Sequence, residues 1–208
     1  METMIRYVEV SLSWISKNIR GHDAKAFYNS PVFASHADPT ITVTSPDCGE
    51  SPGTMGPEYI GGSGGRIPAL SWDVPSDLEP EVREWLLVVE DMDAPLPMAI
   101  CHGIYGGIAP EKRRVSPEDF GVEDEKRSLL KGGFHWGNGW RRGAVYAPPR
   151  PLMNHGAHRY FYQVVALSEA LDKKMLENRA AKEQFAEAIK GKVLGWGMWI
   201  GSCERKWV

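Results

Sequence analysis

The sequence predicts a mainly β fold, and two segments carry most of that prediction. Glu84–Glu90 (EWLLVVE) is a nearly continuous apolar run of strand length, as expected for a central strand. Arg159–Ser168 (RYFYQVVALS) is dominated by aromatic and β-branched residues, which favour strands. The tail Val193–Trp207 alternates apolar residues with glycines and is expected to return to the sheet. Three further segments have an extended pattern: Ile41–Ser45, Ala69–Trp72 and Met98–Gly107.

The composition is that of a globular protein, and we expect a single domain over residues 1–208. Of its residues, 42% are hydrophobic and 25% are charged, which is enough apolar material for a buried core. The 24 basic and 27 acidic residues give a formal net charge of -3, so the chain lacks the basic character of nucleic-acid-binding domains. Nucleic acid is therefore not expected as a partner.

Cysteine usage and hydropathy predict a cytoplasmic location. Cys48, Cys101 and Cys203 are far apart, odd in number, and form neither a C-x-x-C pair nor a zinc-binding spacing. A reducing compartment fits this pattern best. No segment approaches the roughly 20 apolar residues that cross a bilayer, so no transmembrane segment is predicted. Nothing in the sequence points to a cofactor.

Two helices are predicted, one near each end of the chain. The first lies in the first twenty residues, within an extension of residues 1–40, and has apolar side chains at helical spacing: Ile5, Val8, Leu12, Ile15 and Ile19. We expect it to dock on the surface of the domain. Peripheral contact with a membrane is the alternative, although its polar face is not strongly basic. The second is a single helix over Lys173–Lys190, with Asp172 as N-cap and Gly191 as stop.

Two long segments are predicted to lie outside the regular strands. Pro46–Pro68 contains seven glycines, too many to continue a helix or a strand, and is expected to be loop. Ile108–Gly133 is charged and is interrupted by Pro110 and Pro117. It is predicted to be a surface excursion that covers one edge of the domain.

Polar residues with useful chemistry cluster around three of these strands. Asp91 and Asp93 follow the apolar central strand, where they can bind a ligand or merely form a turn before Pro95. His102 lies within the strand candidate AICHGIYGG, as a core residue or a ligand-contacting one. His158 and Tyr160 alternate across Arg159 and so share one strand face, while Arg159 faces the other way and can hold a buried acid. These residues predict a small anion-binding pocket. In it the histidines donate hydrogen bonds to the anion, Tyr160 closes one side, and the carboxylates of Asp91 and Asp93 orient the histidines.

Other patterns are weaker. The glycine-rich loop at Gly61–Gly65 fits G-x-S-x-G but lacks the strand-to-helix context of a serine hydrolase. A metal triad of Asp91, His102 and His158 is compatible with the residue types, but the spacing of these residues does not decide the question, and no metal is predicted. His135, Trp136 and Trp140 are expected to cover the core rather than wall a pocket. The neighbouring Arg141 and Arg142 either attract an anion or face water.

Taken together, four ordered segments resemble the phosphatidylethanolamine-binding protein family, which includes Raf kinase inhibitor proteins. The family's D-P-D-A-P motif is present as Asp91-Met92-Asp93-Ala94-Pro95, its strand histidine as His102, and its G-x-H-R-Y motif as Gly156–Tyr160. Gly64–Pro75 (GGRIPALSWDVP) is similar to a fourth family segment. The match runs from about Ile41 to Cys203, and the chain is most similar in appearance to the larger fungal members.

The resemblance implies an antiparallel β-sandwich-like fold with a large central sheet, a peripheral N-terminal helix and a helix in the C-terminal region. It also implies a ligand-binding site at Asp91, Asp93, His102, His158 and Tyr160. Met92 replaces the first motif proline, Gly103 replaces an aromatic residue, and Gly143–Pro151 departs from the family's glycine-proline loop. These departures predict a pocket mouth of altered shape.

Three functions follow as hypotheses. The first is binding of a small anion such as phosphate, a phosphorylated head group or a carboxylate. The second is an enzyme or accessory protein in fungal natural-product biosynthesis, in which His102, His158 or Asp91 assists condensation, dimerisation or cyclisation of an anionic, maleic-anhydride-type metabolite. The third is inhibition of a partner kinase or protease. No sequence feature singles out a surface for such a partner.

Overall fold

The computed structural model describes residues 2–207, with side chains from residue 4 onward, so the first residue of the predicted N-terminal helix lies outside it. Three α-helices are described: α1 (Glu2–Ser16), α2 (Lys173–Glu177) and α3 (Lys182–Ala188). The first strands are β1 (Thr42–Thr44), β2 (Gly53–Thr54), β3 (Leu70–Asp73), β4 (Glu84–Asp91), β5 (Ile100–Ile108) and β6 (Arg114–Val115). The others are β7 (Val122–Asp124), β8 (Leu129–Leu130), β9 (His135–Trp136), β10 (His158–Leu167) and β11 (Val193–Cys203).

The strands form two sheets, which confirms the predicted fold class. The large sheet has eight strands in the order β2-β11-β10-β4-β5-β9-β8-β7, and the small sheet has the order β1-β3-β6. All pairings are antiparallel except that of β2 with β11. The tail therefore returns to the sheet beside β10, as the sequence predicted.

The apolar run in β4 is continuous because both faces of this central strand are covered. All eight of its residues are buried. Leu87 and Val89 belong to one core cluster, whereas Leu86 and Val88 belong to another on the opposite face. A strand buried on one face only would alternate apolar with polar residues.

Different parts of the chain cover the two faces of the large sheet. The small sheet contributes Val43 and Trp72 to the first core. The N-terminal extension contributes Phe27 to the second core, where the C-terminal helices add Leu176 and Phe185. The large sheet is thus the middle layer of the molecule.

The prediction of one helix over Lys173–Lys190 was wrong in its continuity. The helical segment is divided into α2 and α3, and Arg179 between them has a positive φ of 54°. The guanidinium of Arg179 lies over the ring of Trp136, 4.6 Å from its centroid, and Asn138 Nδ2 donates to the Arg179 carbonyl at 2.6 Å. These tertiary contacts favour a turn over the continuous helix that local spacing indicated.

Helix α1 docks on the domain, but through polar side chains. Ser13 and Glu9 are buried, and Ser13 Oγ donates to the Met153 carbonyl at 2.7 Å. Glu9 accepts hydrogen bonds from Arg150 (3.1 Å) and Arg205 (3.0 Å). The apolar side faces outward, and its most exposed members include Ile5, Val8, Leu12 and Ile15. Among the described helices, none combines the length and apolar character needed to span a membrane.

The two segments predicted outside the regular strands contain short strands of their own. Within the glycine-rich Pro46–Pro68 segment, Gly53 lies so close to Trp199 that a Cβ atom would meet its ring at 2.7 Å, and this close approach lets β2 pair with β11. The excursion over residues 108–133 supplies β6 to the small sheet and β7 and β8 to one edge of the large sheet. It therefore extends that edge of the large sheet and completes the small sheet.

Candidate functional site

A cavity of about 640 Å³ opens at one end of the three central strands. Asp91 ends β4, His102 lies near the start of β5, and His158 begins β10. Because β10, β4 and β5 are adjacent and antiparallel, the end of β4 meets the beginnings of its two neighbours. All three side chains line the cavity, so the sheet topology brings together residues that are far apart in sequence.

Asp91 and His158 form a buried, hydrogen-bonded pair. The distance between His158 Nδ1 and Asp91 Oδ2 is 2.9 Å, and the backbone N–H of Asp93 donates to Asp91 Oδ1 at 2.8 Å. The other ring nitrogen of His158, Nε2, lies 2.8 Å from Nδ1 of His155. Both ring nitrogens of His158 are therefore occupied within the protein.

His102 presents one unoccupied nitrogen beside Asp91. Its Nδ1–H donates to the carbonyl of Ala147, which leaves the lone pair of a neutral ring on Nε2. Among the described residues, Nε2 has no hydrogen-bond partner and lies 4.0 Å from Asp91 Oδ2. Burial lowers the pKa of His102, although the nearby Asp91 carboxylate acts to raise it. Nε2 itself has almost no exposed surface, so the base of the cavity holds two buried acceptors, an arrangement suited to taking up a proton.

This arrangement differs from the anion-donating histidines that the sequence suggested. His158 donates to Asp91 and contacts His155 through its other nitrogen, and His102 donates to Ala147, so neither ring has a free N–H for a bound anion. The positive side chains that line the cavity are instead Arg141 and Arg150. An anionic group is therefore better matched to the arginines than to the histidines.

Tyr160 lies behind the histidines and is not among the cavity-lining residues. Its ring is fully buried and packs edge-on against His102, with 5.2 Å between centroids. Its hydroxyl makes no hydrogen bond with any described residue. Burial and the nearby Asp91 raise the pKa of Tyr160 well above its ordinary value, so the phenol stays protonated.

Asp93 also lies away from the cavity, and its carboxylate contacts other parts of the protein. Its two carboxylate oxygens accept hydrogen bonds from the Arg159 side chain at 2.8 and 3.0 Å, and Oδ1 accepts one from the backbone N–H of Gly21 at 3.1 Å. Arg159 also forms a bidentate pair with Asp23, at 2.9 and 2.8 Å. These contacts fasten the N-terminal extension to β10. They match the scaffold role that the sequence analysis offered for Arg159.

The walls of the cavity are largely apolar. Trp140 lines it and is 59% exposed, whereas Trp136 and His135 are buried. The expectation that these aromatic residues cover the core therefore holds for Trp136 but not for Trp140. The remaining apolar lining comes from two loops and the start of β5: Ala94, Pro95, Leu96, Ile100, Ala147, Pro148 and Leu152.

Sequence reasoning missed His155. It is 4% exposed, and its ring lies between His158 and the carbonyl of Ser16, to which its Nε2 is 3.1 Å away. The available signal was Gly156, whose positive φ of 95° turns the chain so that two histidines three residues apart meet. Within residues 4–207, no group of three His, Cys, Asp or Glu side chains has an arrangement that would hold a metal ion.

Together, the fold and the site define a class: a β-sandwich protein with a small-ligand cavity at the end of its central strands. A family model described as "Phosphatidylethanolamine-binding protein" matches residues 40–204. The chain belongs to this family. The solved structure of a phosphatidylethanolamine-binding protein homologue from Chlamydia trachomatis has the same fold, with a TM-score of 0.62 and 22% identity, covering 81% of this chain and 99% of that one.

Two fungal proteins are similar over nearly the whole chain. Phomoidride biosynthesis cluster protein B of Talaromyces stipitatus is 39% identical over 207 residues, which cover 98% of this chain and 84% of the relative. The protein of the same description from Fungal sp. strain ATCC 74256 is 38% identical over 209 residues, which cover 100% of this chain and 99% of the relative. The similarity therefore includes the N-terminal extension, which lies outside the family match.

Proposed function

We propose that this protein acts in a fungal natural-product pathway, as an enzyme or accessory protein that removes a proton from an anionic metabolite of the maleic-anhydride type. Two relatives that match nearly the whole chain are named for phomoidride biosynthesis. The observation that carries the chemistry is the Nε2 of His102, which has no hydrogen-bond partner in the described part of the chain and lies 4.0 Å from Asp91 Oδ2. Passive anion capture would require free donors there.

In this proposal, His102 is the general base. A neutral imidazole whose Nδ1–H is held by the Ala147 carbonyl can accept a proton only on Nε2. The imidazolium formed there is stabilised by the Asp91 carboxylate, which His158 holds in place at 2.9 Å. Positioned general bases contribute roughly 10²- to 10⁴-fold to a rate.

The lining of the cavity supports an amphipathic substrate. Apolar residues such as Leu96, Ile100 and Leu152 suit a hydrocarbon chain. Arg141, and the N–H groups of Arg150 that do not bind Glu9, suit carboxylates. The closed maleic anhydride has acidic C–H bonds on its alkyl substituent, because the resulting carbanion is delocalised into the anhydride carbonyl groups. A carboxylate elsewhere on the metabolite supplies its negative charge. Both features of such a molecule have partners in the cavity. We place this activity in the cytoplasm, where Cys48, Cys101 and Cys203 would stay free thiols, as they are in the structure.

The test is formation of a coupled product from an alkyl-substituted maleic anhydride, measured by mass spectrometry with purified protein. We expect His102→Asn to lower product formation by about 10²-fold or more, because asparagine keeps a donor for the Ala147 carbonyl but is not a base. His36→Gln, a change outside this cavity, is the matched control and should retain activity.

Three results have distinct meanings. Product formation that is equal in wild type and His102→Asn would contradict the proposal. Tight binding without chemistry in either protein would favour a role in anion binding alone. Product that forms only after a second pathway protein is added, and still depends on His102, would support the accessory form of the proposal.

A further inference from the structure

A continuous line of hydrogen-bonding groups runs from the base of the cavity to helix α1. Asp91 Oδ2 contacts His158 Nδ1 at 2.9 Å, His158 Nε2 contacts His155 Nδ1 at 2.8 Å, and His155 Nε2 contacts the Ser16 carbonyl at 3.1 Å. At one end the Ser16 carbonyl oxygen can only accept. At the other end Asp91 accepts as a carboxylate, a form favoured by the hydrogen bond that the backbone N–H of Asp93 donates to Oδ1. Asp91, His155 and His158 are all at least nine-tenths buried, so water does not readily complete these contacts.

The three contacts of this line fix the number of hydrogens that it must carry. Each of the three contacts needs one hydrogen, and the two end contacts need theirs on His158 Nδ1 and His155 Nε2. Two neutral imidazoles carry only those two hydrogens, which would leave two lone pairs facing each other across the 2.8 Å contact. Unpaired buried acceptors at this distance are unfavourable, whereas a third proton satisfies every contact.

We propose that His155 and His158 share one additional proton, so that the pair is a monocation and His155 is a positioning residue for proton removal at His102. The role of His155 in proton removal rests on the proposed function, whereas the presence of the additional proton does not. The extra proton completes a hydrogen bond between His158 Nε2 and His155 Nδ1. It forms one N–H bond, and no other covalent bond changes.

The surroundings place the charge mainly on His158. Burial lowers the pKa of His155, and the guanidinium of Arg20 acts in the same direction. His158 instead donates directly to the Asp91 carboxylate. The other groups that face His158 are His102 on β5 and Tyr160 on β10, and Cys203 on β11 is its partner in the sheet register.

The shared proton has a consequence for His102. A cationic His158 offsets the negative charge of Asp91 and acts to lower the pKa of His102, which keeps His102 in its basic, neutral form. If His155 is replaced by leucine, His158 loses the acceptor for its Nε2–H. We expect His158 to lose the extra proton and the pKa of His102 to rise, because Asp91 is no longer offset.

Nitrogen-15 NMR of the histidine side chains tests this directly and needs no substrate. In the wild-type protein at neutral pH, we expect three protonated nitrogens among the four of His155 and His158. In His155→Leu, we expect His158 to retain one protonated nitrogen and the titration of His102 to shift to higher pH. His155→Gln is the matched variant, because its amide can donate to the Ser16 carbonyl and accept from His158; it should keep His158 doubly protonated.

A wild-type spectrum with only two protonated nitrogens in the His155–His158 pair would overturn the inference. So would an unchanged titration of His102 in a folded His155→Leu variant. Failure of the proposed function is distinguishable, since a shared proton seen by NMR in a protein that forms no product would leave the proton count intact. If leucine prevents folding, the glutamine variant and the wild-type count still decide the question.

Discussion

At the scale of single residues, Asp93 shows how a motif carboxylate can serve the scaffold. Its side chain is 2% exposed and accepts hydrogen bonds from Arg159 and Gly21. Burial acts to raise the pKa of Asp93, but hydrogen bonds and charge from Arg159 outweigh it, and the pKa falls below its ordinary value of 3.8. A carboxyl with a lowered folded pKa stabilises the protein above its unfolded pKa, and this stability is lost as the pH falls through the folded value.

We therefore predict that Asp93→Asn lowers the free energy of unfolding by about 3 kcal/mol at neutral pH, because it leaves part of the Arg159 fork without a charged partner. Urea denaturation at pH 7 and at pH 3 measures this. The loss should shrink at pH 3, which lies below the ordinary pKa of 3.8, because the carboxyl of the unfolded chain is mostly protonated there and the charge of Asp93 contributes less stability. Asp38→Asn, at an exposed position, is the control and should change stability little. A loss of equal size at both pH values would show that the charge of Asp93 is not responsible.

Arg141 and Arg142 offer a matched pair, because they are adjacent and exposed but only Arg141 lines the cavity. We predict that Arg141→Gln raises KM, or Kd, for an anionic ligand about 5- to 30-fold, as expected for the loss of one charge-assisted contact of about 1–2 kcal/mol. Arg142→Gln should leave it within about 2-fold. Calorimetric titration with an alkyl-substituted maleate compares them, and equal effects of both changes would refute a specific role for Arg141.

Part of the site was predictable residue by residue. Asp91, His102 and His158 were expected in one pocket and all line the cavity, because recognisable segments carry them. Tyr160 shares the strand face of His158 but lies further along β10, behind the ring of His102. Asp93 is outside the cavity because the residues after Asp91 turn away from it. His155 was not predictable in the same way, because its contact with His158 depends on the backbone turn at Gly156.

At the scale of elements, helix α1 is held by a few polar contacts. Glu9 lies between Arg150 and Arg205, and Ser16 and His155 connect the end of the helix to the site. Helical spacing correctly predicted the helix, and it did not indicate which side docks. Amphipathic spacing shows that two sides differ, whereas the choice of side depends on which partners the folded domain presents.

We predict that Glu9→Gln weakens the attachment of α1 by about 1 kcal/mol, because it removes the charge that two arginines share. Hydrogen exchange followed by mass spectrometry should show faster exchange in α1 and unchanged exchange in β4 and β10. Arg6→Gln, an exposed change on the same helix, is the control. Unchanged exchange in α1 of the Glu9 variant would mean that other contacts hold the helix.

At the scale of the whole molecule, the large sheet is the middle layer and connects the two cores. Its fold class was predictable because β4 and β10 have strong strand patterns and the family segments occur in order. The division of the C-terminal helix was not, because it depends on Trp136 and Asn138, about 40 residues away in the chain. Long-range contacts of this kind leave no local periodicity.

The organisation of residues 1–208 as one domain is our proposal. It predicts one cooperative unfolding transition, because Trp85 in the first core and Trp196 in the second both belong to strands of the large sheet. Near-ultraviolet circular dichroism, which reports on tryptophan packing, should give the same urea midpoint as far-ultraviolet circular dichroism. Two separated midpoints would indicate two independently folding units.

The most direct test of proton removal at His102 is hydrogen–deuterium exchange in the substrate itself. An alkyl-substituted maleic anhydride is incubated with the protein in D₂O, and loss of the C–H signal next to the ring is followed by proton NMR. We predict exchange that depends on wild-type protein, is lost in His102→Asn, and has an acidic limb below pH 6.5, because burial lowers the pKa of His102 from that ordinary value. Exchange that persists in His102→Asn, or that is absent from the wild type at neutral pH, would contradict a general base at this position.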